Sequence, residues 1–263
     1  MTEGDPSVHR IEAEPREKWG FSELQQRVTD IYQEHDKECG YGPDTMLIRL
    51  STNALTVQKL LKNAPNNFGS INRNLTNVFI WTATFANAGG LDLQNIMEKK
   101  FGQGCPHCQQ MPCLLSKKGE KCIPPQFPNK NKNIIIPPSN LDGWQLHLKK
   151  MYPNNYQGDI TETLAFASSK LIEETIELSG SSYSDILREL KEASFPDEML
   201  PWESEIADVL AWTFALSSSL DVKNGRYSAE LSLKEKYKDG CPYCKSPKCI
   251  CRKEKTFIEE LRK

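Results

Sequence analysis

The sequence predicts an all-α protein built as two tandem copies of one unit, and three observations lead there. Apolar residues recur at three- and four-residue steps along much of the 263-residue chain, the spacing of one helix face. Few runs alternate apolar and polar residues as a half-buried strand does. The second half also repeats the first: NVFIWTATFANAGGLDL, from Asn77, aligns with DVLAWTFALSSSLDV, from Asp208, which sets Trp81 on Trp212. EKKFGQGCPHC, ending at Cys108, aligns with KEKYKDGCPYC, ending at Cys244, and Cys113 then falls on Cys249. Each copy is about 120 to 130 residues long, and such a period decides the architecture before any local reading does.

Residues 1–18 carry Gly, Pro and mixed charge, the composition of a flexible tail. The first copy, 19–115, opens with a helix marked by Phe21, Leu24, Val28, Ile31 and Tyr32. Leu47, Leu50, Ala54, Val57, Leu60 and Leu61 mark a second, and the apolar segment 75–85 a third, after a turn-rich stretch at 63–70. Residues 116–140 are dense in Lys, Pro and Asn and read as an extended linker. In the second copy, 141–263, Ser139, Asn140 or Asp142 caps a helix carrying Trp144, Leu146, Leu148 and Met151. Asp159 or Thr161 caps a long acidic helix that ends at the Ser-Gly-Ser of 179–181, and 184–193 is a short additional helix.

A formal net charge of −2 and a pI near 6.2 give no overall pull towards nucleic acid or anionic membrane. No apolar run reaches transmembrane length and residues 1–19 lack the apolar region of a signal peptide, so the expectation is a soluble, cytoplasmic protein. Gly-rich phosphate loops, GxSxG elbows and dinucleotide fingerprints are absent.

The chemistry concentrates in two segments of the second copy, LIEETIEL (171–178) and ESEIADVL (203–210). Glu174 and Glu177 stand three apart, as do Glu205 and Asp208, so each pair shares a helix face. Glu173 adds a fifth acid, and Leu171, Ile172, Ile176, Leu178, Ile206, Val209 and Leu210 tie both segments to a core. An acidic pair at helical spacing is ordinarily a solvated face. Brought together at a core edge, these acids would raise one another's pKa unless a cation neutralised them. An all-oxygen donor set suits a hard ion, Mg²⁺ or Mn²⁺.

Glu173-Glu174-x-x-Glu177 followed by Glu205-x-x-Asp208 resembles the signature of the MazG-like all-α nucleoside triphosphate pyrophosphohydrolases, over about residues 144–237. The resemblance implies two four-helix units packed as an intramolecular pseudo-dimer. It also implies release of pyrophosphate from a nucleoside triphosphate, with Glu174, Glu177, Glu205 and Asp208 as metal ligands and Glu173 as a further ligand or base. Lys234 and Lys236 lie where the family carries basic residues that meet the triphosphate, and Trp212 near the pocket, although a surface Lys and a core Trp are the plain alternatives.

The repeat is an internal control. Setting Leu50 on Leu171 puts Thr52, Asn53 and Thr56 where Glu173, Glu174 and Glu177 stand, and Asn74 and Asn77 where Glu205 and Asp208 stand. Polarity is kept and charge removed, so one metal site is expected, in the second copy.

Cys241, Cys244, Cys249 and Cys251 put four thiols in eleven residues, the close spacing of a zinc knuckle. Disulfides are the rival, but they are rare in the cytosol. The first copy offers Cys105, Cys108 and Cys113, with Leu115 in place of Cys251; Cys122 is the better fourth ligand and His107 the weaker, since Tyr243 is its counterpart. Closed all-cysteine shells read as structural zinc. These knuckles are foreign to the MazG-like pattern and admit a nucleic-acid or protein partner, so the alternative function is a binding module or nucleotide sensor without turnover. Further self-association is a separate possibility.

Overall fold

Each helix starts and stops on local chemistry. The computed structural model describes residues 18–113, 122, 135–180, 199–224 and 228–251. The tail, most of the linker and the short helix expected at 184–193 lie outside these residues. Helix α1 (Phe21–Cys39) closes on Gly40, whose φ of 66° lies in the left-handed region that glycine enters without steric cost. Helix α2 (Pro43–Asn63) begins on a proline, whose missing N–H costs nothing in a first turn. Asn67 caps α3 (Phe68–Gly89) and Asp92 caps α4 (Leu93–Phe101).

In the second half, Asn140 caps α5 (Leu141–Met151), its side chain accepting from the Gly143 N–H at 2.8 Å. A 3₁₀ turn (Pro153–Tyr156) leads to α6 (Ile160–Gly180), capped by Asp159, whose carboxylate accepts the N–H groups of Thr161 and Glu162 at 2.8 and 3.0 Å. Helix α7 (Pro201–Asn224) is the longest, and α8 (Ala229–Tyr237) is capped by Ser228. The described residues are thus all-α, with no strand among them, and no described helix is long and apolar enough to cross a membrane.

The packing of the first four helices corresponds to that of the last four. Helix α2 lies on α3 and α6 on α7; α1 lies on α3 and α5 on α7. Across the middle, α2 meets α6 and α3 meets α7. The last helix of each half crosses over, α4 against α7 and α8 against α3. The first helix of each half fixes where the last one begins: Gln25 Oε1 accepts the Leu93 N–H and Gln145 Oε1 the Ala229 N–H, both at 3.0 Å.

One core runs through both halves. Phe214 meets Phe79 and Phe21 at centroid separations of 4.9 and 6.1 Å, and Phe21 meets Trp144 at 6.4 Å. Each fully buried side chain of this kind contributes about 1.5–3 kcal/mol. Two apolar residues expected at the core are exposed instead, Ile176 at 60 % and Leu146 at 51 %. Both lie on helix faces turned from the interior, where an isolated apolar side chain is tolerated.

Candidate functional site

Glu174 and Glu177 sit one turn apart on α6, and Glu205 and Asp208 one turn apart on α7. The pairing of α6 with α7 brings one carboxylate oxygen each of Glu174, Glu177 and Glu205 within 4.8 Å of the others. Octahedral coordination at about 2.1 Å needs oxygens about 3–4.2 Å apart, so a small closure would seat a hard cation.

The electrostatics show a cluster short of positive charge. Glu174 is buried, and burial, the facing charges of Asp208 and Glu177, and a hydrogen bond with Glu205 push its carboxyl up to about 8. Burial raises Glu205 as well, and Asp208 likewise, although Lys100 draws both of these back down. Glu173, exposed on the rim, is held by Lys170 at 2.6 and 2.7 Å and stands apart from the other three. Asp208 is engaged by Lys100, whose ammonium also donates to the Ser204 hydroxyl at 2.6 Å and carbonyl at 2.9 Å.

Lys100 belongs to α4, in the other half of the chain, and arrives through the crossover of α4 onto α7. Lys234 and Lys236, the lysines singled out in the sequence, lie elsewhere. Lys234 is paired with Glu230 at 2.6 Å. Lys236 reaches Asn77 and the Arg73 carbonyl, the positions that correspond to Asp208 and Ser204. The alignment already sets Lys100 on Lys236; which lysine meets the acids depends on the crossover, which no local pattern encodes.

The acids open into a cavity of about 850 Å³ with walls from both halves. Phe166 of α6 and Trp212 of α7 meet edge to face at 5.6 Å and form an aromatic side of it, with Tyr152 and Tyr156 beyond. Trp212 is half-buried and packs on the core while lining the cavity. Lys99, Lys100 and the loop residues Pro106, His107 and Gln109 of the first half also line it.

That loop is part of a cysteine cluster. Cys105, Cys108, Cys113 and Cys122 bring their sulfurs within 4.8 Å of one another, as do Cys241, Cys244, Cys249 and Cys251. Neighbouring sulfurs stand 3.4 Å apart for Cys105 and Cys122, 3.6 Å for Cys108 and Cys113, and 3.8 Å for Cys241 and Cys251. Tetrahedral zinc with Zn–S bonds of about 2.3 Å places sulfurs about 3.8 Å apart. Either cluster could hold such an ion, and none of the eight sulfurs is in a disulfide.

The two loops share a backbone. Gly104 and Gly240 have φ of 106° and 100°, and Gln109 and Lys245 stand in the left-handed region at 55° and 58°. The N–H of Cys105 donates to Gln110 O and that of Cys241 to Ser246 O, at 3.1 and 2.8 Å. A Cβ on Gly240 would come within 2.2 Å of that Ser246 oxygen. Backbone N–H groups aimed at sulfur favour thiolate: those of Ile250 and Ser246 lower the half-buried Cys244 thiol to about 6.

Each loop docks on the other half. The Cys113 N–H donates to Met151 O at the end of α5, and the Cys249 N–H to Ile31 O in α1, both at 2.7 Å. Tyr152 hydrogen-bonds Cys105, and Tyr32 hydrogen-bonds Cys241.

In the first half the counterpart residues satisfy one another. Asn77 Nδ2 donates to Asn53 Oδ1 at 2.9 Å, Asn53 Nδ2 to Arg49 O at 2.7 Å and Asn74 Nδ2 to Ser70 O at 2.8 Å. Thr52 and Thr56 bond back to Ile48 O and Thr52 O, both at 2.7 Å. Neutral amides closed on themselves leave no anionic donor set there.

No protein-family model, curated protein or solved structure matches the chain.

Proposed function

We propose that the protein is a metal-dependent nucleoside triphosphate pyrophosphohydrolase of MazG-like type, with one active site and a first repeat that serves as its structural partner. The observation that carries this reading is the Glu174–Glu177–Glu205 cluster, in which burial and the facing carboxylates push Glu174 upward, lining a cavity with an aromatic wall. Buried like charges without a counter-ion are costly to keep ionised, and a divalent cation relieves that cost. Bound Mg²⁺ or Mn²⁺ would supply charge neutralisation of the triphosphate and acidify water for attack at the α-phosphorus.

The chain's own residues account for the rest. Glu174, Glu177 and Glu205 form the donor set, and Asp208 holds Lys100 over its edge, ready to exchange one anion for a phosphate oxygen. Glu173 stands at the rim, where it can orient water. Trp212 and Phe166 offer an apolar wall on the scale of a nucleobase. The two cysteine clusters hold structural zinc, and the one at Cys105 frames the cavity.

Pyrophosphate release from a panel of ribo- and deoxynucleoside triphosphates, with Mg²⁺ or Mn²⁺, tests the reading. The native chain should turn over one or a few of them, and Glu174→Gln should lose at least about 100-fold, as expected when a metal ligand is removed. Failure of folded, zinc-loaded protein to turn over any nucleotide would favour the second reading, a binding module. Tyr243 and Ile250, exposed at 76 % and 74 % beside the second cluster, are the observation behind that alternative.

A further inference from the structure

A second cavity, of about 520 Å³, lies between α3 of the first half and α8 of the second with its cysteine loop. Lys236, in its lining, reaches Asn77, the counterpart of Asp208. Its charged lining is Arg73, Lys236 and Glu235, with Asn72, Thr76 and Ser232 as neutral polar neighbours. The comparison with the acid site is residue by residue. Lys236 corresponds to Lys100, and each ammonium reaches a backbone carbonyl and side-chain oxygen of the facing helix, Lys100 two side chains and Lys236 one. Lys100 meets a carboxylate, Asp208, whereas Lys236 meets a neutral amide, Asn77. Where the acid site has Ser204, this one has Arg73, a second cation.

The sign of the site is therefore inverted. Two cations face one exposed carboxylate, Glu235, and the lysine is held by neutral acceptors only. Burial and the neighbouring Arg73 lower the Lys236 ammonium to about 8, so it remains charged at pH 7. Guanidinium and ammonium together match the oxygens of a diphosphate, the first as a planar fork and the second as a point charge.

We propose that the Arg73–Lys236 cavity is a second ligand site, which binds a diphosphate group through side-chain cations alone, without a divalent metal. The ligand is pyrophosphate or the diphosphate tail of a nucleotide. The two cavities share no lining residue, so this one can be filled whether or not the chain turns over nucleotide.

Isothermal titration of the full, zinc-loaded chain at pH 7, in buffer freed of Mg²⁺ and Mn²⁺, tests this with pyrophosphate and with a non-hydrolysable nucleoside triphosphate in separate runs. Pyrophosphate should bind with a stoichiometry of one. Arg73→Ala and Lys236→Met should each weaken it at least about tenfold, while Glu174→Gln leaves it unchanged. Binding of the nucleotide as well identifies the tail as a ligand; binding of pyrophosphate alone identifies the free anion. Arg73 is exposed, so its replacement is a test that leaves the core intact. Absence of pyrophosphate binding to the native chain, equal binding by both cation variants, or loss in Glu174→Gln would each overturn the proposal.

Discussion

At the scale of single residues, the decisive fact is a carboxyl that burial and its neighbours hold up at about 8. A group with a folded pKa above its unfolded value near 4.5 binds more protons in the folded state between those values. Stability contributed by its protonated form is therefore present at low pH and lost as pH rises through that window. Metal-free, zinc-loaded protein should show a melting temperature that falls from pH 6 to pH 8.5, with a shallower fall in Glu174→Gln. Added Mg²⁺ should raise the melting temperature, and more so at pH 8.5, where the carboxylates are ionised. A pH profile identical in the native chain and the variant would remove Glu174 as its source.

The residue types and spacings at this scale were legible in the sequence. Glu174 and Glu177 stand together because i and i+3 share a helix face, the pairing of α6 with α7 brings Glu205 to them, and Cys122 brings its sulfur to the other three of its cluster. The lysine was not. Lys100 and Lys236 are equivalent in the repeat, and only the crossover of α4 onto α7 decides which one reaches the acids. Glu173, three positions after Lys170, is drawn to that lysine at the surface.

At the scale of elements, capping was readable because it is local: Asn140 and Asp159 each satisfy the N–H groups of the turn they begin. Asp159→Ala should destabilise the chain by about 1 kcal/mol, measured as a shift in urea midpoint. The outward-facing Ile176 and Leu146 were not readable, because the width of a buried face depends on which helices lie against it. The cysteine loops are elements too. Native protein should contain two zinc equivalents by metal analysis, and Cys122→Ser one. Retention of both in that variant would assign the fourth donor elsewhere.

At the scale of the whole molecule, neither half makes the acid cavity alone. Glu174, Glu205 and Trp212 come from the second, Lys100, Pro106 and His107 from the first, and Phe21, Phe79 and Phe214 share one core. The matching segments of the two halves were readable in the sequence, while the crossing of the last helix of each half onto the other was hidden by its long-range nature. Residues 135–263 expressed alone should be inactive, and co-expression with residues 1–134 should restore turnover. Full activity of the second half by itself would separate the cavity from the first repeat.

Turnover in ¹⁸O-labelled water, followed by mass analysis of both products, tests attack at the α-phosphorus. One labelled oxygen should enter the nucleoside monophosphate and none the pyrophosphate. Label in the pyrophosphate, or release of inorganic phosphate in its place, would contradict it.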